Sequence, residues 1–188
     1  MISSALQMRK FLADITKAVT QRVDVPANPR DLFEAMCAAV SELQDKEVKL
    51  RFAAFPDDTG SGLLLDFGDK SLVVIEERTS PEHQLVILGH ELWHERAGHC
   101  SHDADGTAMA ARLLSTGDTD WDELAPQLLA VAARTEFAEH DEHQAEKFGL
   151  KLAGKFRSLM SGPHARGPVR TDTVEDRMSA SLNYRGQI

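Results

Sequence analysis

Residues 80–98 carry the pattern that most restricts the fold of this chain, because helix start and stop signals enclose a fixed arrangement of histidines. Ser80 can cap a helix, Pro81 suits its first position, and Gly98 suits its C-terminal end. Between them, a His-Glu-x-x-His sequence begins at His90. Residues four apart lie on one face of a helix. We therefore predict a helix whose two motif histidines point to the same place.

This spacing is typical of a zinc site, since His90 and His94 can bind one ion while Glu91 lies on the neighbouring edge of the helix. Glu91 is then placed to act as a general base without binding the metal. The alternative interpretation is two surface histidines on a solvated helix, beside an ordinary glutamate.

A tetrahedral zinc with one open position needs a third protein ligand. Glu142 is the best candidate, because it begins an apolar stripe on the last predicted helix, where a carboxylate is costly unless paired or metal-bound. The competitors beside it are His140, Asp141 and His143. A solvated acidic helix start, favoured by the helix dipole, would explain the same cluster without a metal.

The residues after the motif exclude the metzincins, which place Gly seven and His ten positions after the first histidine. Here those positions hold Ala97 and Cys100, while Gly98 and His99 are each one position away. We therefore place His99 near the helix end rather than among the ligands. A separate site made of His99, Cys100 and His102 is the weaker alternative, since their adjacency suits an exposed loop.

Apolar patterning elsewhere predicts an α+β fold that is mainly helical, with a small antiparallel three-stranded sheet packed against the zinc helix. Helical spacing runs over 3–22 and again after Asn28-Pro29. An alternating apolar–polar pattern at 50–52 and short apolar runs at 63–65 and 72–75, separated by turn signals, predict the three strands. The run at 72–75 suits a strand that is covered on both faces.

These elements form one predicted domain over 1–160, followed by a flexible tail at 161–188 that holds three glycines and two prolines. Within the domain we expect N-terminal helices at 1–47, the sheet at 48–77, the zinc helix at 80–98 and C-terminal helices at 104–160. The last group would include helices at 109–114, 121–133 and roughly 140–160.

Charge and composition exclude several classes of protein. The chain has 188 residues, 30 acidic against 21 basic, and a formal net charge of −9, with all of the excess in residues 52–160. That balance argues against direct nucleic-acid binding by phosphate neutralisation and against a basic membrane-surface module. No apolar run approaches the roughly 20 residues of a bilayer span. With two cysteines and no signal-peptide pattern, we expect a cytoplasmic protein.

The motifs resemble those of the ImmA/IrrE-type metallopeptidases, especially short members found beside bacterial transcription regulators. The similar residues of the first motif are Thr79, His83-Gln84, the apolar run 85–88, His90 to His94 and Gly98-His99. The family's second motif, Glu-x-x-Ala-x-x-Phe, is similar to Glu142, Ala145 and Phe148. The resemblance covers roughly residues 30–160.

The resemblance implies a gluzincin-like zinc metallopeptidase with one Zn²⁺ per chain, bound by His90, His94 and Glu142, and with Glu91 as the catalytic base. It also implies cleavage or inactivation of a helix-turn-helix repressor, in some members as the toxin-like half of a two-component locus. The chain departs from many members at Gln144 and Trp93, and its only tyrosine, Tyr184, lies in the predicted tail. The candidates to stabilise an oxyanion are therefore His99, His140, His143 and Arg134.

Two functions follow as expectations. The first is zinc-dependent peptide hydrolysis of a protein substrate, the expected partner being a helix-turn-helix repressor. The second is a non-catalytic zinc-binding regulator or toxin–antitoxin component that antagonises such a repressor by binding it, since the acidic segment 52–160 could face a basic partner. Ordinary solubility also accounts for that acidity.

Overall fold

The structure is a computed structural model that describes residues 4–55, 60–98 and 139–161. Its elements are, in chain order, α1 (Ser4–Thr20), α2 (Pro29–Gln44), β1 (Glu47–Ala53), β2 (Gly62–Asp66), β3 (Lys70–Glu76), α3 (Pro81–Ala97), α4 (Glu139–Phe156) and a 3-10 turn (Arg157–Leu159). The α+β class is confirmed. The helices predicted at 109–114 and 121–133, and the tail from 162 onward, lie outside the described residues. Among the described residues, no helix is long and apolar enough to cross a membrane.

The residues predicted to begin α2, and those predicted to begin and end α3, do so in the structure. The Asn28 side chain accepts a hydrogen bond from the backbone N–H of Arg30 at 2.9 Å, ahead of the first-turn proline. Ser80 caps α3 by accepting from the backbone N–H of His83 at 3.4 Å. Gly98 ends the helix in the left-handed region, at φ 72°, where a residue without Cβ is favoured.

The sheet is mixed, so the prediction of an antiparallel sheet is wrong. Its strand order is β1-β3-β2, with β3 parallel to β1 and antiparallel to β2. A tight turn at Gly68 (φ 87°) joins β2 to β3, whereas eight residues separate β1 from β2. The longer link does not force a hairpin, and the most apolar strand, β3, takes the central position, where all but its first residue is buried.

One face of the sheet packs with the helices in a single core. Residues 48, 64, 73 and 75 belong to the same buried cluster as the inner faces of α1, α2, α3 and α4. Helix α3 contacts β2, β3, α2 and, most extensively, α4. The apolar residues of α4 that face this core are Ala145, Phe148, Leu152, Ala153 and Phe156.

The C-terminal half of α3 is joined to the sheet by an ion-pair network around the buried carboxylate of Glu95. Lys46 lies 2.7 Å from Asp66 and 3.0 Å from Glu95. The Ser71 hydroxyl donates to the second oxygen of Glu95 at 2.7 Å. Because Glu95 directly follows His94 in the chain, the network fixes the end of α3 that carries the second motif histidine.

The N-terminal end of α3 is fixed through Glu76, the last residue of β3. The Gln84 side chain donates to the backbone carbonyl of Glu76 at 3.0 Å. The Glu76 carboxylate accepts from the backbone N–H of Phe55 at 2.9 Å and from the backbone N–H of Arg78 at 2.8 Å. Burial raises the pKa of Glu76, but hydrogen bonds and charge from Arg78, with the Phe55 N–H, outweigh it and hold the pKa at about 2, below its ordinary 4.5.

We expect Glu76→Gln to lower the free energy of unfolding by about 1–3 kcal/mol near neutral pH. The stabilisation by the carboxylate is complete above pH 4.5 and is lost as the pH falls towards about 2, because the unfolded chain takes up the proton first. Urea unfolding of both proteins should therefore show the difference shrinking in acid. The exposed neighbour Glu77, changed to Gln, is the control. A difference independent of pH would contradict this role for Glu76.

Candidate metal centre

The two motif histidines converge as their spacing predicts. Their Nε2 atoms are 3.0 Å apart, and their ring centroids are 4.7 Å apart. The His94 side chain is 1% exposed and the His90 side chain 22% exposed. Helix α3 therefore presents two nitrogen donors at one point, one of them at the accessible edge of the site.

The carboxylate of Glu142 meets both histidines from α4. Its Oε2 lies 3.4 Å from His90 Nε2, and its Oε1 lies 3.3 Å from His94 Nε2. These three residues form a group of potential ligands whose donor atoms all lie within 4.8 Å of one another. Glu142 is thus the residue among the four sequence candidates that joins the histidines in this group.

The competitors of Glu142 on the first turns of α4 lie elsewhere. His140 and His143 are exposed, and the His140 ring lies 2.6 Å from the Gln144 side chain. The amide oxygen of Gln144 accepts a hydrogen bond from the Ser4 hydroxyl of α1. Asp141 is half-buried. His99, Cys100, His102, Arg134 and Tyr184 lie outside the described residues.

Two glycines bring α3 and α4 close enough for this contact. A Cβ added at Gly89 would lie 2.8 Å from the Cα of Gly149, and one added at Gly149 would lie 2.5 Å from the Val86 carbonyl oxygen and 3.2 Å from the His90 nitrogen. The backbones of the two helices therefore touch directly. Since Gly149 is two helical turns after Glu142, this close approach sets the position of the carboxylate.

Glu91 lies beside the potential metal ligands without being one of them, as a general base would. It is 8% exposed and does not belong to the ligand group. Its carboxylate lies against Gly62 at the start of β2, where any side chain would overlap it. Burial, together with the charge of Glu142, raises the pKa of Glu91 to about 8. Without a metal, this carboxyl therefore binds its proton up to neutral pH.

Burial lowers the pKa of His90, and the charge of Glu146 opposes that shift. A neutral imidazole is the form that binds a metal.

Glu146, one turn after Glu142, was not among the residues singled out from the sequence. Its four-residue spacing from Glu142 was the available signal. The contacts at Gly62, Gly89 and Gly149 had none, because they depend on tertiary packing.

The donor set fits a small divalent metal. At bond lengths of 2.0–2.2 Å and tetrahedral angles, two ligand atoms on zinc are about 3.3–3.6 Å apart. The separations of 3.3 and 3.4 Å between a histidine nitrogen and a carboxylate oxygen lie in that range, and the 3.0 Å between the two histidine nitrogens is slightly shorter. The two nitrogens and one carboxylate thus form a possible metal-binding triad.

Comparison with known proteins returned no match among family models, curated proteins or solved structures. The residues of the site therefore carry the functional assignment by themselves.

Proposed function

We propose that the protein is a zinc metallopeptidase of the ImmA/IrrE type that cleaves or inactivates a helix-turn-helix transcriptional regulator in the cytoplasm. The observation that carries this proposal is the meeting of Glu142 with His90 and His94, beside the buried carboxyl group of Glu91. Two histidines and one glutamate, with a second glutamate close by, are the donor and base types of zinc peptidases.

Zinc bound by these three residues would acidify a water molecule and polarise a carbonyl group. Glu91 would take the proton from the attacking water and deliver it to the nitrogen of the leaving amine. The positive charge of the metal would lower the pKa of Glu91 from about 8, so that the carboxylate becomes a usable base. His140 and His143, both exposed on α4, remain candidate oxyanion donors, as do His99 and Arg134.

The second candidate function is zinc binding without catalysis, which follows if burial keeps the proton on Glu91 even beside the metal. A carboxyl group that keeps its proton at neutral pH is a poor base. In that case the protein would antagonise its regulator by binding alone. Both functions require the metal, so metal content is the first measurement.

Metal analysis of the purified chain should find one zinc per molecule. Glu142→Ala should weaken zinc binding by at least about 100-fold. Removal of the carboxylate leaves two nitrogen donors, which is too few for a zinc site. The matched control is Glu139→Ala, which removes an exposed carboxylate from the same first turn of α4. Equal zinc content in the wild type and Glu142→Ala would remove Glu142 from the ligand set.

A further inference from the structure

A second feature, separate from the metal-binding triad, is an open groove between α2 and the outer edge of β1. Its volume is about 570 Å³. Its walls include Cys37, Ala38 and Ser41 of α2, and Val48 and Leu50 of β1. Strand β1 is at one end of the sheet order, so this groove runs along an edge strand.

The backbone of β1 offers hydrogen-bonding groups to this groove. The Val48 N–H donates to the Ser41 hydroxyl at 2.8 Å, which shows that Val48 points its backbone away from β3. The backbone N–H and C=O groups of alternate residues in a strand point to the same side, so those of Leu50 and Phe52 also point away from β3. Within the ranges that the structure describes, no hydrogen bond is made by the N–H or C=O of Leu50 or Phe52 on this side. This part of the edge can therefore accept an added strand.

On the wall of the groove that α2 forms, a small exposed residue lies between two acidic residues; this residue is called the floor of the groove. Ala38 is exposed, and Glu34 and Glu42 lie one helical turn to either side of it. Burial, and then the charge of Glu34, raise the pKa of the Cys37 thiol to about 12, so Cys37 provides an apolar surface rather than a nucleophile. The wall therefore suits one small side chain flanked by two cations, one of which would share Glu42 with its ion-pair partner Arg22.

The spacing of these acids matches that of an extended peptide. Glu34 and Glu42 are eight residues apart, which is about 12 Å along a helix axis. Residues i and i+4 of a strand point to the same side and are about 13 Å apart. On the opposite face of β1, the side chains of Lys49 and Arg51 are exposed and two residues apart. Residues i+1 and i+3 of a strand paired beside β1 have the same spacing, so their side chains can lie next to these two cations.

We propose that this groove binds an extended segment of a partner protein, paired with the β1 edge. The segment would carry Lys or Arg at i and i+4, a small apolar residue at i+2, and acidic residues at i+1 and i+3. Main-chain hydrogen bonds to Leu50 and Phe52 would supply affinity, and the charge pattern would supply specificity. The long basic side chains would lie across Ala38 with their charged ends at the two glutamates.

A second copy of this chain fits the groove less well. Antiparallel pairing of two β1 strands would place the α2 helices side by side on the same face of the joined sheet. If that contact centred near Ala38, Glu34 of each copy would face Glu42 of the other. Two such like-charge contacts disfavour self-association and leave a peptide with basic side chains as the better occupant.

The test is fluorescence anisotropy with the full chain and a labelled peptide Thr-Lys-Glu-Val-Glu-Lys-Thr. We expect saturable binding that weakens at least about tenfold with Ala38→Arg, which fills the exposed floor, and with Glu34→Lys. The matched control for charge is Glu77→Lys, an exposed residue that follows β3. A peptide with Lys and Glu exchanged, and one N-methylated along its backbone, should each bind at least about tenfold more weakly.

Equal binding of the exchanged-charge peptide, or equal binding by Ala38→Arg, would overturn the proposal. So would a dimer in analytical ultracentrifugation that Ala38→Arg dissociates, because the occupant would then be a second copy. Tighter peptide binding after removal of residues 162–188 would also overturn it, in favour of the chain's own C-terminal segment. Glu91→Gln should leave peptide binding unchanged, so this result is independent of the proposed peptidase function.

Discussion

Replacement of Glu91 by glutamine is expected to lower the rate of regulator cleavage by about 10²–10⁴-fold while the chain still binds one zinc. The amide keeps the size of the side chain and its fit against Gly62, but it cannot accept a proton from water. The measurement is incubation of the purified wild type and variant with a candidate helix-turn-helix regulator, followed by separation of fragments and metal analysis of both proteins.

Two outcomes separate catalysis from antagonism. Discrete regulator fragments with the wild type, and none with Glu91→Gln, support proteolysis. A stable complex without fragments, formed equally by both, supports binding alone. The control is Glu77→Gln, an exposed carboxylate outside the site, which should cleave as the wild type does. Unchanged cleavage by Glu91→Gln would show that the base is another group.

The variant Gly149→Ala is expected to be the most damaging single-methyl change at the contact between α3 and α4. Its new Cβ would lie 2.5 Å from the backbone carbonyl oxygen of Val86, an atom that cannot rotate away. The two helices must then move apart, at a cost of about 1–3 kcal/mol or more in the free energy of unfolding. Because the same movement withdraws Glu142 from the histidines, zinc affinity should fall as well.

The matched control lies on the same helix. An alanine Cβ at Gly154 would meet nothing within 4 Å, so Gly154→Ala should instead stabilise the helix by about 0.5–1 kcal/mol. Urea unfolding and competitive zinc titration measure both effects. If Gly149→Ala retained wild-type zinc affinity, the close helix approach would not be what positions Glu142.

Local signals in the sequence were sufficient to predict the helices that carry the site. Asn28, Ser80 and Gly98 act on their own helix termini, so each could be interpreted without knowing the rest of the fold. The histidine pair was predictable for the same reason, since its geometry follows from one helix. Glu142 could be ranked first among four candidates because its position on the apolar stripe of α4 is also a local property.

Features that depend on distant pairing were not predictable in this way. The turn signals near residue 58 resemble those of a hairpin, yet β1 pairs with β3 rather than β2. Strand order depends on which edge of β3 is left open after the β2–β3 hairpin forms, and no short segment encodes that choice. The contacts of Glu91 with Gly62 and of Gly89 with Gly149 are equally non-local.

The ligands of the proposed metal are far apart in the chain: His94 lies in the last turn of α3, and Glu142 follows 48 positions later. A metal that joins them acts as a covalent cross-link would, by restricting the unfolded chain to conformations in which a long loop is closed. For a loop of this size, that restriction corresponds to about 3–4 kcal/mol. The metal content of the cell would therefore govern the lifetime of the folded protein as well as its chemistry.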